Sequence, residues 1–156
     1  MKYRMLTEEE LSHFSEELKH FLIVNGIHAE EWEIMNRKNP EKACELVGIF
    51  SDTVLQRVYE NINYLEFRST DSCLLFYLAE DTIELVSLQA KPGGQADLST
   101  PEGIHDALVH GTSSLSFFKT TKAYNAPREE EVHRFIEQGC IPSSKEFWDK
   151  MQEALQ

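Results

Sequence analysis

Basic residues are scarce in this chain, with 15 lysines and arginines against 27 aspartates and glutamates and a formal net charge of −12 over 156 residues. Such a surface repels phosphate backbones and anionic lipid and leaves counterion release little to act on, so neither nucleic acid nor an acidic membrane is an expected partner. Cysteine is scarcer still. The three thiols, Cys44, Cys73 and Cys140, have no C-x-x-C spacing, and an odd number without a framework predicts reduced cysteines in a reducing compartment. Long apolar runs are missing as well: CLLFYLA at 73–79 is far too short to cross a bilayer as a helix. MKYRMLTEEEL at the start meets glutamates before any apolar segment forms, which predicts no secretory signal. A cytoplasmic location without membrane attachment is the expectation.

Glycine and proline, seven and five residues, are too few and too scattered for a phosphate cradle. Pro92-Gly93-Gly94 fits neither glycine-rich nucleotide fingerprint and reads as a turn. His110-Gly111-Thr112-Ser113-Ser114 lacks the G-x-S-x-G context of a nucleophile elbow and reads as a polar loop. No cofactor is implied by these motifs.

What the chain does have is periodicity. It is 41% apolar, enough to build a core, and its length suits a single α+β domain spanning 1–156. Thr7 and Glu10 have capping-box spacing, and Leu11, Phe14, Leu18, Phe21 and Leu22 form one stripe, which predicts a helix over 7–25 with Gly26 as its left-handed cap. A short helix follows at 29–37. Asn39-Pro40 then opens a stretch that holds helical spacing to Ile62 and fits a long helix or a bent pair. Beyond Ile62 the period drops to two, and YLEFR at 64–68, CLLFYLA at 73–79 and TIELVSLQ at 82–89 predict an antiparallel meander. The second run is apolar on both alternating faces, so the sheet should carry helices on one face and a loop or second subunit on the other. A short helix after Thr100, a fourth strand over 115–124, a helix from Asn125 or Pro127 to Gly139 and one opened by Ser143 complete the reading. The predicted fold is α+β: N-terminal helices, a central antiparallel sheet of three or four strands, and two C-terminal helices.

Chemistry is harder to find. Four of the six histidines follow a glutamate by three residues, a spacing that sets a carboxylate and an imidazole one turn apart, as in carboxylate-bridged metal bundles. Glu10, His13, Glu17 and His20 are the contiguous set and the candidate ligands for a divalent metal. They share a polar stripe beside the apolar one, however, and the reading of a solvated helix face is preferred. In PREEEVHRFIEQGC, at 127–140, Val132, Phe135 and Ile136 read as the buried side. Glu129, Glu130 and Glu131 lie where the helix dipole favours anions. Cys140 follows the helix end, far from the cations that would activate it, and reads as a small hydrophobe packed back on Phe135. Trp32, Trp148, Phe117 and Phe118 read as core or interface anchors, with Phe117 and Phe118 the candidate interface pair.

MKYRMLTEEEL, IFSDTVLQRV with YLEF after it, and PREEEVHRFIEQGC together resemble an uncharacterised family of small bacterial proteins, known only as a domain of unknown function. The resemblance spans the first 70 residues and the last 35 or so. It implies a bacterial cytosolic protein of about this length and carries over no activity or site residue. The expected function is a non-enzymatic binding module that recognises another protein or itself through the sheet face or the loop at 90–114, with a metal-binding protein or metal-dependent enzyme using the Glu/His stripe as the alternative.

Overall fold

The computed structural model describes residues 2–93, 96–110 and 114–155; Gly94 of the predicted turn and 111–113 of the predicted polar loop lie outside them. The chain divides into two compact units, Met1–Val58 and Tyr59–Gln156.

The first unit is helical: α1 (Glu8–His13), α2 (Ser15–Val24), α3 (Ala29–Lys38) and most of α4 (Pro40–Glu60). The capping box forms as its spacing predicts, with the Thr7 hydroxyl accepting from the Glu10 N–H and the Glu10 carboxylate accepting from the Thr7 N–H. The helix predicted over 7–25 is broken at Phe14, whose φ of −113° and ψ of 25° leave the helical range. Phe14 donates to Leu11 three residues back and accepts from Leu18 four residues on, so it closes α1 and opens α2. Gly26, at φ +78°, ends α2 in a Schellman motif: its N–H reaches Ile23 and that of Ile27 reaches Leu22, satisfying the last carbonyls of the helix. The stretch after Pro40 is one helix of 21 residues and not a bent pair. Ser51, fully buried on it, accepts from the Leu6 N–H at 3.0 Å.

The second unit is built on an antiparallel sheet of β1 (Tyr64–Arg68), β2 (Ser72–Leu78), β3 (Thr82–Ala90), β4 (Leu115–Ala123) and β5 (Ile141–Pro142), in the order β4-β3-β2-β1-β5. Four strands lie within two residues of their predicted places. The fifth escapes prediction because two residues, one of them proline, have no period to detect. The helices α5 (Pro101–His110), α6 (Arg128–Glu137) and α7 (Lys145–Ala154) complete the unit. The last is capped by Ser144, which accepts from the Phe147 N–H, one residue later than Ser143, the predicted cap.

Strand β2 fixes the layering. On one face Cys73 and Leu75 join Val86 and Leu88 of β3, Ile104 and Ala107 of α5, and Trp148 and Met151 of α7 in one buried cluster. On the other, Phe76 meets Phe135 of α6 at a ring separation of 4.5 Å. Helices thus cover β2 on both faces from within the unit, which corrects the expected loop or second subunit. Complete burial of a leucine such as Leu75 is worth roughly 1.5–3 kcal/mol, and polar substitutions on either side of β2 forfeit it.

Glycine is required at one further place. Thr100 accepts from the Gly103 N–H at 3.0 Å to start α5, and a Cβ on Gly103 would overlap the backbone carbonyl oxygen of Asp97. Gly103→Ala is expected to lower stability by about 1–3 kcal/mol, read as a lower urea midpoint at unchanged slope. An unchanged midpoint would show that the 97–100 turn yields freely.

Candidate functional site

The two margins of the sheet are treated differently. At one, β5 is two residues long and includes Pro142, which has no N–H to offer. At the other, β4 runs for nine residues without proline, and all but Leu115 are exposed. Its hydrogen-bonding direction follows from the ladder. Lys91 donates to the Ser114 carbonyl at 2.8 Å, and in an antiparallel pair bonded and non-bonded positions alternate. Ser116, Phe118, Thr120 and Lys122 therefore turn their backbone groups toward β3, following the register Gln89↔Ser116, Ser87↔Phe118, Leu85↔Thr120 and Ile83↔Lys122. Leu115, Phe117, Lys119, Thr121 and Ala123 turn theirs outward, where no described strand pairs with them.

Side chains alternate across the same strand. Phe117 and Phe118, 50% and 53% exposed, stand on opposite faces. Lys119 lies on the α7 side, donating to Gln152 at 3.0 Å, and Lys122 lies on the α6 side, 6.0 Å from the centre of the Phe135 ring. The predicted interface pair thus sits on an open strand edge flanked by two ammonium groups, with no acid within β4.

The predicted ligand set is placed differently. Glu10 accepts two hydrogen bonds from Arg4, at 2.8 and 2.9 Å, besides its capping contact. The Arg4 guanidinium, then the Thr7 N–H, hold its carboxyl down from its ordinary 4.5 to about 2. His13 ends α1, whereas Glu17 and His20 lie on α2 beyond the break at Phe14; all three are exposed. Among the described residues no group of three or more His, Cys, Asp or Glu side chains is positioned to hold a metal ion.

A different cluster gathers behind the sheet. Arg128 donates to the carbonyl of Tyr59 at 3.0 Å and to that of Leu78 at 3.2 and 3.3 Å, and also reaches the Ile62 carbonyl. It therefore caps the C-terminal end of α4 while starting α6. The Tyr59 hydroxyl, on a residue only 2% exposed, lies 2.8 Å from His133 Nδ1, and His133 Nε2 is 3.4 Å from Glu137. Glu131, one of the three first-turn acids expected where the helix dipole favours anions, is buried beside Val132. The cue was an arginine at the first position of a helix, where the dipole favours an acid; such a residue needs carbonyl partners elsewhere. Arg128, Tyr59, His133 and Glu137 form a joint, their polar atoms directed at backbone carbonyls and at each other, whereas Glu131 Oε1 is buried without a hydrogen bond, 3.7 Å from the Arg134 guanidinium.

Burial holds the Cys140 thiol above its ordinary range and pushes that of Cys73 up to about 11. Neither is a nucleophile at neutral pH. Cys140 lies just beyond the Schellman end of α6, its N–H donating to Phe135 at 3.0 Å. A cleft of about 600 Å³ between α2 and α3 is floored by Leu18, Leu22, Ile27 and Trp32. Its charged members, Lys19, Glu30, Glu31 and Glu33, are all exposed, which suits a contact surface better than a chamber for chemistry.

A family model described as a family of unknown function, DUF6495, matches residues 1–156. No curated protein and no solved structure matches the chain.

Two outcomes follow for these groups. Because the Glu10 carboxyl titrates lower in the folded chain, its stabilisation is present above pH 4.5 and is lost as pH falls toward about 2. Thermal melts across that window should flatten in Glu10→Gln, by a small margin because the carboxylate is 37% exposed and screened. A chromogenic disulfide reagent should modify the exposed Cys44 quickly in native protein and reach Cys73 and Cys140 only after denaturation. Rapid reaction of more than one thiol would contradict the burial.

Proposed function

We propose that the chain, which belongs to the family of unknown function DUF6495, is a non-enzymatic protein-interaction module of the bacterial cytoplasm whose contact element is the free edge of β4. The observation that carries this reading is the unequal treatment of the sheet margins. One is closed by a two-residue strand with Pro142; the other presents nine residues, five of them with outward backbone groups, and among them two half-exposed phenylalanines, one on each face. Long open edges are templates for a further strand, and recognition by strand addition draws affinity from the backbone and specificity from alternate side chains. An interaction role agrees with the absence of a catalytic constellation among the described residues. The cytoplasmic placement rests on three free cysteines and on the likeness to small bacterial proteins. No helix of the described chain is long and apolar enough to cross a membrane.

The test is selection of extended peptides from a displayed library on the wild-type protein, followed by measurement on two variants. Thr121→Pro removes an outward N–H while leaving the bonds to β3, and Phe117→Ser/Phe118→Ser removes the apolar flanks. Selected peptides should lose affinity by about tenfold or more in each, with folding checked by circular dichroism. Retention of full affinity in both variants, or failure to select any peptide, would overturn the reading.

A further inference from the structure

Building on the edge reading above, we infer that the segment received by β4 is an acidic one from a different protein, running antiparallel to β4, with carboxylates placed to meet Lys119 and Lys122. The charge of the edge carries this. In a chain of net charge −12, β4 has two lysines and no acid, one on each face of the sheet and each on the same face as a phenylalanine: Phe117 with Lys119, Phe118 with Lys122. Lys119 spends one ammonium N–H on Gln152 and has two further donors.

A second copy of the chain is a poor occupant. Antiparallel self-pairing about Lys119 sets two lysines directly opposite each other, and every other register still places four ammonium groups in one seam without a carboxylate from either strand. Like charges across a strand pair are destabilising, and edge lysines are a common guard against self-pairing. The same two charges turn favourable when the incoming strand supplies acids.

The spacing of the edge then sets the pattern of the partner. Read from its N-terminus, an antiparallel segment meets Lys122, Thr121, Thr120, Lys119, Phe118 and Phe117 in turn. It should therefore carry an acid, two free positions, a second acid and two apolar residues, β-branched or aromatic. The pattern satisfies both faces at once because directly opposed residues of antiparallel strands lie on the same side of the sheet.

The probes are the peptide TEVTEVFT, its glutamine and lysine counterparts TQVTQVFT and TKVTKVFT, each fluorescein-labelled, measured by anisotropy against the full chain and against Lys119→Glu/Lys122→Glu. Backbone exchange of the outward amides at Phe117, Lys119 and Thr121 is followed in parallel. The acidic peptide should bind wild type about tenfold tighter than the lysine peptide, with the neutral one between them and the order reversed in the charge-swapped protein. It should also slow exchange at the three outward amides. Equal binding of all three peptides with that protection would overturn the acidic partner and leave the edge reading standing. No binding by any peptide and no protection would overturn both. Light scattering that shows a dimer abolished by Thr121→Pro would replace the acidic partner with a second copy.

Discussion

A strand that is apolar on both alternating faces has to be covered twice, and β2 imposes that demand on everything around it. Cys73 and Leu75 look one way and Phe76 and Leu78 the other, all nearly or fully removed from water. One helix layer could shelter only half of them, so the chain sends α5 and α7 to one face and α6 to the other. The aromatic side chains make the seams: Tyr64 stacks on Tyr77 at 5.1 Å with Trp148 against both, while Phe76 meets Phe135. The strands on either side of β2 inherit their register from this arrangement, because a slip by one residue would turn every buried side chain toward the wrong layer.

The same logic explains where the polar groups went. Arg128 could have been a surface residue at the start of α6; instead it draws together carbonyls of Tyr59, Ile62 and Leu78, at the end of α4, in the turn after it and at the end of β2. Charge-assisted bonds to backbone oxygens are worth roughly 1.5–3 kcal/mol each, so the guanidinium works as a clamp. Tyr59, His133 and Glu137 continue that joint. The suggestive residues of the one-dimensional text therefore divide: Arg128, Tyr59 and His133 hold elements together, Cys73 and Cys140 are packed away from water, and His13, Glu17 and His20 stay exposed.

Local signals were readable and non-local ones were not. The capping box at Thr7, the left-handed stops at Gly26 and Gly139 and the change of period after Ile62 depend on neighbours within a few positions, and each appears in the structure where the spacing puts it. The break at Phe14 was invisible because the apolar stripe runs through it unbroken. The inward turn of Glu131, the two-residue strand at Ile141 and the partners of Arg128 depend on residues dozens of positions away, about which periodicity is silent. Phe117 and Phe118 were legible as core or interface anchors; that they stand half-exposed on an open strand edge needed the strand order. Glu10, His13, Glu17 and His20 show the converse, since their regular spacing assumed one straight helix that the chain does not make.

Pro142 makes the two margins of the sheet unlike. At the β5 margin its ring removes the N–H that a further strand would need at that position, while the described β4 margin keeps five residues whose backbone groups face away from β3. Anything that approaches the sheet by backbone hydrogen bonding meets a donor-poor rim on one side and an intact one on the other.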